Sequence, residues 1–297
     1  MRNFDELLKA ARERKPVRVA VAAAGDLDVL EAVNKASQLG IATGIFVGDR
    51  DFIEKTAASA GIDLSTHRVE HASDAGEAAR KSVALVRAGE ADILMKGNIQ
   101  TADLLRAVLD REQGLRTGKI LSHVALVEVP GYHKLLMVSD GGLNIAPDLK
   151  TKFEITQNAI NVAHTLGWAE PKVALLSALE LVNPDMPSTI DAALIAKAAE
   201  RGQIRGALVD GPLAADGALS KEAAEHKKIV SPVAGVADVL IVPNIETGNI
   251  LLKGLQYLAG ATWAGVVVGA RAPVLVLSRA DHAKAKMLAI ALGQLLV

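Results

Sequence analysis

The 297-residue sequence contains no cysteine. That absence excludes disulfides, iron–sulfur clusters, thiolate zinc sites and a cysteine acyl-enzyme. It suits a reducing compartment, and a cytoplasmic protein is expected. Aromatics are scarce, at four Phe, two Trp and two Tyr. Stacking platforms for single-stranded nucleic acid are therefore not expected, and the core has to be built from Ala, Val, Leu and Ile. Neither charge sign dominates: 33 Lys plus Arg stand against 34 Asp plus Glu. Such a balance gives no broad field for nucleic acid or an anionic membrane, so neither is expected as a partner. An anion has to be met by a few placed cations. Long apolar runs are also missing. The stretch 257–270 carries Thr262 and several glycines and falls short of the roughly 20 residues a membrane span takes. The N-terminus mixes charges early, unlike a signal peptide.

Half the residues are hydrophobic, which excludes a disordered chain. At roughly 150 residues per domain, the length suggests two domains. Short apolar runs alternate with longer amphipathic segments. Strands are expected at 17–24, 41–47, 93–95, 124–129, 135–138, 173–177, 206–209, 239–242, 265–268 and 274–277. Most are continuously apolar, as suits strands covered on both faces. Helical patterns at 27–39, 75–88, 102–109, 153–166, 189–199, 246–258 and 283–296 lie among them. This alternation argues for an α/β fold with largely parallel sheets. Pro130-Gly131-Tyr132-His133 reads as a hairpin turn, so at least one pair is antiparallel. The Gly/Asn/Pro-rich segment 140–148 reads as a domain crossing. Thr151 to Glu154 fits a capping box that starts a new helix. The expected domains are 1–140 plus 278–297, and 141–277, with crossings near 141–150 and 273–278 and the last helix returning to the first domain.

Ligands of open parallel sheets bind beyond the carboxyl ends of the strands. The polar residues there are Lys96, Asn98, Asp140, Ser177, Asp210, Asn244, Ser278 and Arg279. Each also suits a turn or a cap. Met95-Lys96-Gly97-Asn98 before a helix makes a plausible anion site, although a surface lysine and a Thr101 cap explain it equally. Gly114-Leu115-Arg116-Thr117-Gly118 can bring a guanidinium to an anion, or leave it solvated in a loop. Asp210-Gly211-Pro212-Leu213, read as a loop after a strand, offers a carboxylate with Asp216 close by; turn chemistry is the plainer alternative. Gly248, beside Asn249, suggests a close backbone approach. Arg279 sits where the last helix could share an anion with it, and Asp281 could act as a base or pair with Arg279. The histidines show no metal-binding spacing. No Gly-x-Gly-x-x-Gly, His-Glu-x-x-His or Gly-x-Ser-x-Gly pattern is present.

As a set, these motifs resemble the phosphate acetyltransferase/phosphate butyryltransferase family. The resemblance rests on Met95–Asn98, Gly114–Thr117, Ser122-His123, Asn144–Leu149, Leu176–Ala178, Asp210–Leu213, Gly248-Asn249 and Ser278–Asp281. It covers the chain from about residue 90; residues 1–90 match only in general pattern. The resemblance implies a two-domain fold similar to isocitrate and isopropylmalate dehydrogenases, with mostly parallel sheets and an interdomain cleft. It implies reversible acyl transfer between coenzyme A, a substrate rather than a cofactor, and inorganic phosphate, usually in a homodimer. Neither a metal nor a separate cofactor is implied. Ser278, Arg279 and Asp281 become the expected catalytic residues. Lys96, Asn98, Arg106, Arg116, Asp210 and Asn249 become the expected substrate-binding ones. Arg106 is matched through Thr101-Ala102-Asp103. The acetyl branch has an aspartate six residues after the arginine, where this chain has Ala285. The Ser-Arg-Ala-Asp form and the Asp-Gly-Pro-Leu segment look more like the butyryl branch. Two other readings compete: a metal-dependent decarboxylating dehydrogenase with Asp210 and Asp216 as ligands, and a non-catalytic two-lobed binding protein.

Overall fold

A computed structural model describes residues 1–278 and 281–297. The chain begins α1 (Phe4–Arg12), β1 (Val17–Ala22), α2 (Leu27–Gln38), β2 (Ala42–Gly48), α3 (Arg50–Ser59), β3 (Arg68–His71), α4 (Ala75–Arg87), β4 (Ile93–Lys96) and α5 (Thr101–Val108). It continues through β5 (Ser122–Glu128), β6 (Leu136–Ser139), α6 (Leu149–Thr165), β7 (Lys172–Leu176), α7 (Pro187–Glu200), β8 (Leu208–Leu213), α8 (Ala215–Leu219), α9 (Lys221–His226), β9 (Val239–Ile241) and α10 (Ile245–Leu258). It closes with β10 (Thr262–Val268), β11 (Val274–Leu275) and α11 (Ala283–Leu295). The fold is α/β with mostly parallel strands, as the alternation predicts. No helix is long and apolar enough to cross a membrane, among the described residues.

Two units divide the chain. An outer unit takes Phe4–Lys119 with Ala264–Val297, and a middle unit takes Ile120–Trp263 with Met1–Asn3. These changeovers differ from the segments read as crossings, 141–150 and 273–278. The reason lies in the hairpin β5–β6. Its second strand takes β9 as a parallel partner, Val138 opposite Leu240, so the hairpin belongs with the middle sheet.

The outer strands run in the order β3-β2-β1-β4-β11-β10. All neighbours are parallel except β10 and β11, a second antiparallel pair that the sequence reading does not contain. Asp26 caps α2 by accepting the Val29 N–H at 3.2 Å, and Val29, Leu30, Val33 and Ala36 form its buried stripe. Helix α11 is buried on every side from Lys286 to Leu295 and packs on α1, α2 and β11. A helix apolar all round has to be enclosed by neighbours.

The middle strands run β5-β6-β9-β7-β8, parallel apart from the hairpin. Its core gathers Val138, Ala174, Leu240, Leu252 and Trp263 with other small aliphatics. Two local expectations change here. The segment Asp210-Gly211-Pro212-Leu213 is not a loop beyond a strand; it is the body of β8, with Asp210 opposite Ala174. Strand β8 is the edge of its sheet, where proline is tolerated because one side needs no ladder donor. Helix α6 starts at Leu149, earlier than the capping box at 151–154 predicts. Asp148 accepts the Thr151 N–H at 2.8 Å, and Glu154 accepts the Ile120 N–H at 2.9 Å instead of closing a box.

Candidate active site

In the outer unit, β1, β4 and β11 lie side by side and parallel. Ala22 stands opposite Lys96, and Leu275 opposite Met95. The segments leaving these strands therefore emerge at one edge of the sheet. Gly97 is fixed there by close packing: a Cβ on it would stand 2.3 Å from the Ala23 carbonyl oxygen and 2.7 Å from that of Ala22. Ala23 itself has φ of +58°, an uncommon conformation for a residue with a side chain. The Gly97 and Asn98 amides donate to Ala22 O at 2.9 Å and Ala23 O at 2.7 Å. Lys96 is buried and its ammonium donates to Ile99 O at 3.1 Å and Gly97 O at 3.3 Å. This lysine holds its own turn in place; it is not the surface lysine of the plainer reading. Asn98 is exposed, and Thr101 is the first residue of α5 rather than its cap, the cap position being Gln100.

Beyond β11, Ser278 is exposed while Asp281 is fully buried. Asp281 accepts the Ser278 N–H at 2.8 Å and returns its own N–H to Ser278 O at 3.1 Å. Its carboxylate therefore anchors the segment that carries Ser278. Lys286, also buried, donates from α11 to the Asp281 carbonyl. Sequence reasoning passed over Lys286. The available signal is that Lys286, unlike Lys284 two residues before it, directly abuts the apolar run of α11, where a buried ammonium needs acceptors. Arg279 and its neighbour Ala280 lie outside the described residues.

Arg106 is exposed on α5 and pairs with Asp103 at 2.6 Å. Arg116 is exposed in a segment whose neighbours are tied down: Leu115 is buried and accepts the Arg271 N–H at 2.9 Å, and Thr117 donates to Gly269 O at 2.5 Å.

In the middle unit, the segment after β6 is organised by Asp140, which is only 2% exposed. Its carboxylate accepts five hydrogen bonds: the amides of His123, Gly142, Leu143 and Asn144, and the Asn144 side chain at 2.6 Å. The segment read in sequence as a domain crossing is thus a loop whose Gly142, Leu143 and Asn144 amides serve a carboxylate. Gly142 also lies on the His123 ring, where a Cβ would stand 2.9 Å from Cγ. The close approach expected at Gly248 is present, and its partner is Gly141: a Cβ on Gly248 would fall 2.6 Å from the Gly141 Cα. Asn249 follows, exposed on α10. Asp210, half-buried, accepts the Gly211 N–H at 2.8 Å. Asp216 pairs with Lys227 at 2.8 Å, and that hydrogen bond holds its carboxyl below the usual range. An Asp216 so engaged disfavours the metal-ligand reading.

Comparison with known proteins places these features in context. The family model described as phosphate acetyl/butaryl transferase matches residues 70–293. The chain is 46% identical to a phosphate butyryltransferase of Clostridium acetobutylicum, over 99% of this chain and 98% of that one. It is 42% identical to a phosphate acetyltransferase of Rhizobium meliloti, over 98% and 92% of the two chains. The crystal structure of a branched-chain phosphotransacylase from Enterococcus faecalis superposes with a TM-score of 0.81 at 36% identity, covering 94% of this chain and 99% of that one. Similarity thus extends into the first 90 residues, where motifs alone gave only a general pattern. The chain belongs to the phosphate acetyl/butaryl transferase family.

Proposed function

We propose that this chain catalyses reversible transfer of a short aliphatic acyl group between coenzyme A and inorganic phosphate. The carrying observation is similarity over nearly the whole length to a phosphate butyryltransferase, at 46% identity. In the forward direction a phosphate oxygen attacks the thioester carbonyl carbon. The carbon–sulfur bond then breaks, the acyl group leaves on phosphate, and the CoA thiolate takes up the proton that phosphate gives up. The carbonyl oxygen gains negative charge on the way. Ser278 is assigned the hydrogen bond to that oxygen, and Arg279 the bidentate contact to phosphate. Asp281 is assigned the orientation of Ser278, which its buried bond to the Ser278 amide supports. Lys96, Asn98, Arg106, Arg116, Asp210 and Asn249 are assigned to substrate binding. A dehydrogenase-like two-domain arrangement, with the reaction in an interdomain cleft of a homodimer, belongs to the same proposal. Transfer is direct, in a ternary complex; isotope exchange without the second substrate would overturn that step.

A phosphate-dependent assay of CoA thiol release across acetyl-, propionyl-, butyryl- and longer acyl-CoA tests the reading. Turnover should require phosphate. Butyryl-CoA should exceed acetyl-CoA in kcat/KM by a graded margin, since a pocket gains only about 1–3 kcal/mol per methylene. A preference for acetyl-CoA would overturn the chain-length assignment. No phosphate-dependent release with any substrate would overturn the function.

A further inference from the structure

Helix α11 begins at Ala283, directly behind the segment that carries Ser278 and Asp281. Lys286 stands in its first turn and is only 3% exposed. The place is doubly unfavourable for a lysine. A desolvated ammonium is costly unless acceptors meet it, and the N-terminus of a helix already carries partial positive charge. Met287, Leu288, Ala289 and Ile290 follow as buried apolar residues, so packing alone would be served by another apolar side chain at 286.

What the lysine reaches accounts for it. Helix side chains tilt toward the N-terminus, and Lys286 extends that way to donate to the Asp281 carbonyl. Residues 278 and 281 are themselves joined in a closed turn. The Asp281 carboxylate accepts the Ser278 N–H at 2.8 Å, and the Asp281 N–H donates to Ser278 O at 3.1 Å. These two bonds set the shape of the turn; they do not tie it to the helix. The Lys286 ammonium does, by fastening the turn's last residue to α11. Because α11 is enclosed by α1, α2 and β11, the turn is thereby held against the packed body of the outer unit.

We propose that Lys286 is a positioning residue for the acyl transfer: acting through the Asp281 main chain, it holds the Ser278 hydroxyl in place for the reacting carbonyl. This rests on the acyl-transfer reading above. Lys286 itself touches neither acyl-CoA nor phosphate. A misplacement of about 1 Å can cost on the order of 100-fold in rate, so a hydroxyl set loosely on its helix is felt in kcat rather than in KM.

The test is a double-mutant cycle in the phosphate-dependent release of CoA from butyryl-CoA. Lys286→Met keeps length and apolar packing but has no donor. Its kcat should fall about 100-fold, with both KM values within about threefold of wild type and a melting temperature equal to wild type or higher. Ser278→Ala alone should cost about 10²–10³-fold in kcat. In the double variant the two losses should not multiply, because placement no longer matters once the hydroxyl is gone. Lys284→Met removes the same charge at an exposed position two residues earlier and should leave kcat unchanged. Losses that multiply, or a Lys286→Met loss confined to the KM for phosphate, would overturn the proposal by making Lys286 a substrate ligand. Full activity in Ser278→Ala or in Lys286→Met would also overturn it, and failure of Lys286→Met to fold would make Lys286 a residue of the fold alone. If wild type showed no phosphate-dependent release, the acyl-transfer reading would fall instead. Amide hydrogen exchange, followed by NMR, would then decide the hold of Lys286 on its own. In Lys286→Met the Ser278 and Asp281 amides should exchange at least about tenfold faster while those of Leu288 to Leu292 keep their wild-type rates. Unchanged rates at 278 and 281, or a rise along all of α11, would overturn it.

Discussion

The segments leaving β4 and β6 occupy equivalent places, each just past the carboxyl end of a strand, yet they are held by opposite charges. After β4 a buried ammonium, Lys96, donates to carbonyls at positions 97 and 99. After β6 a buried carboxylate, Asp140, accepts amides at positions 142, 143 and 144. A cation gathers carbonyls and an anion gathers N–H groups. The anion-held segment has therefore committed the donors that a phosphate would need. Glycine serves a different purpose in each as well. Gly97 lets two stretches of backbone touch within one sheet edge, whereas Gly141 lets a loop touch the first turn of α10 at Gly248. A glycine-rich segment at the end of a strand is thus no evidence of phosphate binding until its amides have been traced.

Substitutions separate the two. Asp140→Ala should have the largest effect, because several amides lose their acceptor at once in a buried place. A loss on the order of 3 kcal/mol is expected, read as a fall in denaturation midpoint. An unchanged midpoint would mean that the carboxylate is not what holds the segment. Gly97→Ala should come next, at about 1–3 kcal/mol, since the added methyl meets backbone that has to shift; a midpoint equal to wild type would dismiss the packing account. Lys96→Met should alter stability by only about 1 kcal/mol, since an apolar side chain of similar length removes a desolvated charge. Its turnover should fall well beyond that, and full activity would remove Lys96 from the site. The amino end of the same strand supplies the smallest effect. There Arg18 and Asp92 pair at 2.7 Å, with the arginine half exposed. The Arg18 hydrogen bond, foremost, holds the Asp92 carboxyl below its ordinary value. A lowered carboxyl stabilises the fold above its unfolded pKa, near 3.9, and that contribution fades as pH falls through the folded value. Asp92→Asn should therefore cost less than about 1 kcal/mol at neutral pH. The gap in melting temperature should close below about pH 4; a gap that widened in acid would contradict the pairing.

The residues themselves explain which parts of the molecule were legible in sequence. Strands such as 17–22 and 93–96, enclosed on both faces, announce themselves as apolar runs. Strand β3, Arg-Val-Glu-His, is an edge strand with charged and polar side chains and looks like a loop. Helix α3 buries only Ile53 and Ala57, too little for a visible stripe. The Asp210–Leu213 segment misled because Gly and Pro signal turns in general, while an edge strand tolerates them. At the site, residue type revealed candidates but not their direction. Asp281 reads in sequence as a catalytic group and Lys96 as a substrate-binding one; the string does not show that both are buried and bonded to the backbone of their own segments. Asp140 was one polar residue among several, since nothing in a linear string shows five donors converging on one carboxylate.

The division of the chain also fixes an order of assembly during synthesis. Strand β4 sits between β1 and β11, and β11 is made some 180 residues later by its position in the sequence. Until then the outer sheet has an open edge at β4, and the apolar flank of α1 and α2 that α11 covers is bare. Apart from its first three residues, the middle unit is one unbroken stretch, 120–263. It holds all five of its strands without residues 264–297. The usual N-terminal-first order is inverted here: residues 4–119 wait, exposed, for β11 and α11.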